Sequence, residues 1–154
     1  LKKKYGPGAA HLLCLALFFR GLGGCGEGAP VAPLAREEVA AIAKSLLPTL
    51  RDGLVATQAS GGQVQGVRGV LAVAESTWEF SGYSADGQLF ADGQLQTESQ
   101  PARLRVWGEL ELSGAQQGLL FLDLTLNVTN GTFGGVARVG EVEVQVSGRL
   151  CCLE

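Results

Sequence analysis

The sequence predicts an α+β domain: one N-terminal helix packed on a curved antiparallel β-meander of five to six strands. A change of rhythm and a set of turns carry this expectation. Apolar residues recur at three- and four-residue steps over residues 36–54, then at every second residue from about position 77 onward. Steps of three and four gather side chains on one face of a helix, and steps of two gather them on one face of a strand. Between the period-two runs stand Asp86-Gly87, Gln100-Pro101, Ser113-Gly114 and Asn130-Gly131, residue types that reverse a chain.

The helix rests on Val39, Ile42, Ala43, Leu46, Leu47, Leu50 and Leu54, which share one apolar face. Glu37 and Glu38 fall in its first turn, where they complement the macrodipole, and Gly53 is placed to end it. Pro48 removes a hydrogen bond and crowds the preceding turn, which predicts a kink or break near residues 45–47. Residues 56–63 read as a small polar and glycine-rich loop.

The strands follow in order. An irregular first one is expected within residues 64–74. Trp78 and Phe80 then alternate with Thr77, Glu79 and Ser81. Leu89, Ala91, Gly93 and Leu95 alternate with Phe90, Asp92, Gln94 and Gln96. Leu104, Val106, Leu110 and Leu112 alternate with Arg105, Trp107, Glu109 and Glu111. Leu120 to Val128 and Val142 to Leu150 continue the pattern. One dry face and one wet face mark an antiparallel sheet. A 19-residue helix is about 28 Å long and covers three or four strands at about 4.8 Å spacing. The excess apolar face must be closed by curvature, by a ligand or by a partner, and a sheet curled around the helix is the simplest closure.

Ahead of the domain, Lys2, Lys3 and Lys4 precede an apolar stretch over residues 9–19. A basic start before roughly 7–15 apolar residues is the signature of a secretion signal, and the stretch is shorter than the ~20 residues a membrane span needs. Leu22-Gly23-Gly24-Cys25 follows and resembles the lipobox of bacterial lipoproteins. That resemblance implies a diacylglycerol on the Cys25 thiol and cleavage just before it. The chain opens on leucine and contains no methionine, which points to a non-ATG start or a start set slightly off. The expected organisation is a signal peptide over 1–24, a lipidated cysteine and Gly/Pro/Ala-rich tether over 25–35, and the sheet domain over 36–154. The expected location is the bacterial cell envelope, as an outer-membrane lipoprotein facing the periplasm.

Composition then removes whole classes of chemistry. Lys2, Lys3, Lys4 and Arg20 leave with the signal, so eight of twelve basic side chains remain against fifteen acidic ones, a net of −7. An acidic domain without a basic stripe repels phosphate backbones, so no nucleic-acid partner is expected. The one histidine, His11, lies in the signal. Histidine-based triads, histidine-ligated zinc and the usual acid–base group near neutrality are thereby excluded from the mature domain. No cofactor and no metal is expected.

Three constellations remain. Trp107, Phe90 and Phe121 project from the wet face, and as cross-strand neighbours they would form an exposed aromatic patch for a partner, a sugar chain or a membrane surface. Glu109 and Glu111, and likewise Glu141 and Glu143, share a strand face about 6.7 Å apart, a spacing that carboxylate-based hydrolysis tolerates, although solvated charge explains them more simply. Cys151-Cys152 are too close in sequence for an unstrained mutual disulfide and read as structural or incidental. The near-repeat of Ala85-Asp86-Gly87-Gln88-Leu89 at residues 91–95 reads as a turn followed by a strand glycine.

The function expected from these residues is non-enzymatic: a lipid-anchored binding or structural protein, held to the membrane and facing an envelope partner through Trp107, Phe90 and Phe121. The alternative is a carrier holding an apolar or acyl ligand between helix and sheet, which in plan resembles the half-barrel envelope lipoproteins that ferry lipids. A hydrolase built on Glu109, Glu111, Glu141 and Glu143 ranks third.

Overall fold

The computed structural model describes residues 34–150. The expected signal over 1–24, Cys25 and the Cys151-Cys152 pair lie outside the described residues. The α+β class holds, with more elements than expected: two helices, not one, and eight strands, not five or six.

Helix α1 (Arg36–Ser45) starts where the Glu38 carboxylate accepts the Ala35 N–H at 2.7 Å. Helix α2 (Leu47–Gln58) begins after a break at Leu46. The break is the answer to Pro48. With α2 starting at Leu47, the proline falls in the first turn, where its missing N–H is one of the donors a helix leaves unsatisfied.

Gly53 does not end the helix; it sits inside α2 because a ring occupies the space beside it. A Cβ there would lie 2.6–2.8 Å from three carbons of the Trp78 six-membered ring. The helix instead ends at Ser60 and Gly61, both at positive φ (71° and 84°). Gly61 N–H bonds to the Ala56 carbonyl at 2.9 Å and Ser60 N–H to the Thr57 carbonyl at 3.1 Å, the paired closure of a Schellman motif. The loop expected over 56–63 is therefore mostly helix and cap.

The sheet is a pure meander, with strands β1 (Gly62–Gln65), β2 (Arg68–Val73), β3 (Thr77–Ser84), β4 (Leu89–Gln100), β5 (Arg103–Gly114), β6 (Gly118–Asn127), β7 (Thr132–Val139) and β8 (Val142–Arg149) adjacent in chain order. All pairings are antiparallel. The irregular stretch over 64–74 resolves into part of a hairpin, β1 and β2. Strand β7 escaped the period-two reading because Gly134-Gly135 erases the alternation, leaving Phe133 and Ala137 as its only buried apolar side chains. A bulge between Phe80 and Tyr83 turns both rings to the dry face. Asp92 fixes it by accepting the Gly82 N–H at 2.6 Å.

The turns use their own side chains. Asp86 Oδ1 accepts the N–H groups of Gln88 and Leu89 at 2.8 and 3.1 Å, and these bonds hold its carboxyl below the usual range. Asn127 Oδ1 accepts the N–H groups of Thr129 and Asn130, and Asn130 Oδ1 that of Thr132. Asp92-Gly93, the second copy of the near-repeat, lies mid-strand in β4.

Helix α1 lies against β7 and β8 and α2 against β1 and β2, so the helices serve the two ends of the sheet. Along β5 every inward side chain from Leu104 to Leu112 is buried, a run of about 27 Å at 3.4 Å per residue, wider than the roughly 10 Å a helix covers. Gly93 and Gly108, at φ 125° and 144° in the middle of β4 and β5, adopt a backbone conformation that favours glycine. Leu46 at the break and Leu50 and Leu54 of α2 share one buried core with Leu71, Leu95, Leu110 and Leu122 from the sheet, all at most 1% exposed. The helix is also latched by polar contacts. Trp78 Nε1 donates to Thr57 Oγ1 at 2.9 Å, Thr57 Oγ1 donates to the Gly53 carbonyl at 2.8 Å, and Tyr83 OH donates to Asp52 Oδ2 at 2.6 Å.

Candidate functional site: the outer face of β5–β8

The dry face carries the buried core, and the outer face presents side chains to solvent. Alternation places Arg105, Trp107, Glu109 and Glu111 outward on β5, and Leu119, Phe121 and Asp123 outward on β6. Register then sets the neighbours. Trp107 stands opposite Asp123 and Phe121 opposite Glu109, so the two aromatic residues are diagonal neighbours across β5 and β6. Phe121 in turn faces Arg138 on β7, and Arg138 faces Glu143 on β8.

Phe90 does not join them. It pairs with Ser113 near the far end of β5, about 20 Å along the strand from Trp107, and lies close to Gly114, where a Cβ would meet its ring at 2.8 Å. Two of the three expected contacts thus form one patch, and all three rings are only half-exposed.

Two arginines organise the patch. The Arg105 guanidinium lies 4.9 Å from the Trp107 ring centre and that of Arg138 lies 4.7 Å from the Phe121 ring centre, both within cation–π range. Arg105 is held by a fork to Asp123, with Nε–Oδ1 at 3.0 Å and Nη2–Oδ2 at 2.8 Å. The hydrogen bonds from Arg105 keep the Asp123 carboxyl below its ordinary range, and the same bonds push the guanidinium up. The aromatic faces are thus backed by cations whose positions are fixed or ring-stacked.

Beside the patch, Glu109, Leu119, Phe121, Arg138, Glu141 and Glu143 line an open depression of about 600 Å³. Alternation along single strands pairs Glu109 with Glu111 and Glu141 with Glu143. The fold joins Glu109 to Glu141 and Glu143 from the other side of β6 and β7, and sets Glu111 opposite Leu119. These carboxylates are exposed. Among the described residues no group of three or more histidine, cysteine or carboxylate side chains is placed to hold a metal ion.

The arginine partners were not singled out in the sequence. Arg105 was within reach, as the residue two before Trp107 on one strand face. Arg138 was not, because its strand was missed. Comparison with protein-family models, curated proteins and solved structures finds no match.

Proposed function

We propose that the chain is a non-enzymatic binding protein of the bacterial cell envelope. On this reading a lipid on Cys25 carries it at the outer membrane, facing the periplasm, and the outer face of β5–β8 meets an envelope partner. The observation that carries the reading is the Trp107–Phe121 pair, set on the face of the sheet that the helices leave bare and backed by Arg105 and Arg138. Aromatic and arginine side chains are the types that dominate protein interfaces. The lipobox-like Leu22-Gly23-Gly24-Cys25 supports the anchor and the location. Leu46, Leu50 and Leu54 belong to the buried core shared by helices and sheet, which favours an outer-face binding role over a carrier of an apolar ligand.

Site-specific photo-cross-linking in intact cells tests this. A photoreactive residue at Gln96 or Thr125, which flank the Trp107 and Asp123 pair on the outer face, should give a discrete adduct. The same residue at Val55, exposed on α2, should give none. Trp107→Ala should abolish the adduct, and Cys25→Ser should move the protein out of the membrane fraction. Equal labelling from both faces would sink the binding surface, and membrane retention of Cys25→Ser would sink the anchor.

A further inference from the structure

The depression beside the aromatic pair has its own chemistry. Two apolar side chains line it: Leu119, 59% exposed, and Phe121, two residues on along the outward face of β6. Its rim is acidic, with Glu109 on β5, Glu141 in the β7–β8 turn and Glu143 on β8. One cation is present, Arg138, directly opposite Glu143, yet its guanidinium lies over the Phe121 ring. The two ion pairs among the described residues, Arg51–Asp52 and Arg105–Asp123, include none of these groups. The rim carboxylates are thus left facing solvent around an exposed leucine.

We propose that this depression docks a cationic segment of a partner protein that carries a large apolar side chain. The apolar group would lie on Leu119 and Phe121, and lysine or arginine groups would meet Glu109, Glu141 and Glu143. The inference rests on the outer face being the partner surface, and it names the partner's chemistry. Charge complementarity selects this occupant: three carboxylates against the ring-stacked Arg138, with Arg36 and Glu37 cancelling each other in the hollow that adjoins Glu143, favour a cation and repel acidic segments and anionic lipid surfaces. A simpler role for Glu141 and Glu143 is to guard an edge strand against sheet-to-sheet aggregation. That role leaves Glu109, on interior strand β5, and exposed Leu119, on interior strand β6, without explanation.

The test titrates the full chain, 15N-labelled, with a synthetic hexapeptide of alternating lysine and leucine. The controls are a lysine–serine and a glutamate–leucine hexapeptide. Amide shifts should concentrate at residues 119–121 and 138–143. The paired variant E141Q/E143Q and, separately, Leu119→Ser should each weaken binding about fivefold or more, and both control peptides should bind more weakly still. Absence of binding overturns the inference, as does lysine–serine binding equal to lysine–leucine. Self-association of E141Q/E143Q with unchanged peptide affinity assigns the carboxylates to edge protection and also overturns it. Adducts still forming from Gln96 and Thr125 in any of those cases would leave the broader reading of the face intact.

Discussion

Replacing Gly53 by alanine sets two effects of opposite sign against each other. In an ordinary helix interior the change stabilises by about 1 kcal/mol, because alanine loses less backbone freedom than glycine. Here the new Cβ would stand 2.6–2.8 Å from three carbons of a ring that is 0% exposed, where carbon atoms prefer about 3.5–4.0 Å. The ring must retreat by about 1 Å, which strains a filled core by about 1–3 kcal/mol. It also stretches the Trp78–Thr57 hydrogen bond, worth about 1 kcal/mol. The net expectation is a loss of about 1–3 kcal/mol, or about 4 °C in Tm per kcal/mol for a domain of this size. Denaturant unfolding followed by far-ultraviolet circular dichroism measures it. The same substitution in a Trp78→Leu background, where the ring carbons are gone, should become neutral or stabilising. A stabilising Gly53→Ala in the parent protein, or equal effects in both backgrounds, would refute the seating of Trp78 against α2.

Two further substitutions probe the helix and its latch. Ser60 adopts φ 71° at the residue after the α2 cap, a conformation glycine reaches without steric cost. Ser60→Gly should therefore raise stability by about 0.5–1 kcal/mol, and an unchanged or lowered denaturation midpoint would contradict the cap geometry. Tyr83→Phe removes the 2.6 Å bond to Asp52 and should cost about 1–2 kcal/mol at neutral pH. Burial first, and the Asp52 bond second, push the Tyr83 phenol above its ordinary 10. Its contribution is complete below pH 10 and fades above it, so the lead of the parent protein over Tyr83→Phe should shrink in alkali. A lead constant with pH would show that the phenol is not so held.

The class and the meander order were legible because they depend on periodicity, which is local. What escaped has a tertiary cause. Gly53 carries the residue type of a helix stop, and only the Trp78 ring, 25 positions away, gives it a different task. Pro48 was legible as a break, but not as the second residue of a new helix, because that depends on where α2 chooses to start. Strand β7 was hidden by Gly134-Gly135, where an added Cβ at Gly135 would overlap the Asp123 carbonyl oxygen of β6. On the outer face, the outward phase of Trp107 and Phe121 could be read from alternation. Their adjacency could not, because it is fixed by the register Trp107↔Asp123 and Glu109↔Phe121. The same register separates Phe90 from both.

Asp123 offers a direct reading of how firmly that face is organised. Its hydrogen bonds from Arg105 favour the carboxylate, so the carboxyl should titrate below the ordinary aspartate value of 3.8. A carboxyl lowered in this way contributes stability that is present above the unfolded value and lost as pH falls through the folded one. Both side chains are about a third or more exposed, so the contribution is small and screened by salt. The readout is therefore local: the 13C shift of the Asp123 carboxyl and the indole N–H of Trp107, followed together from pH 6 to pH 2. As Asp123 protonates, Arg105 loses its fork and its fixed place 4.9 Å from the Trp107 ring. The two signals should share one midpoint below 3.8. In Asp123→Asn the Trp107 signal should start at the acid-limit value of the parent protein and show no such step. A Trp107 step at a higher pH, or one that survives in Asp123→Asn, would mean that another carboxylate positions Arg105, and the account of the platform would fall with it.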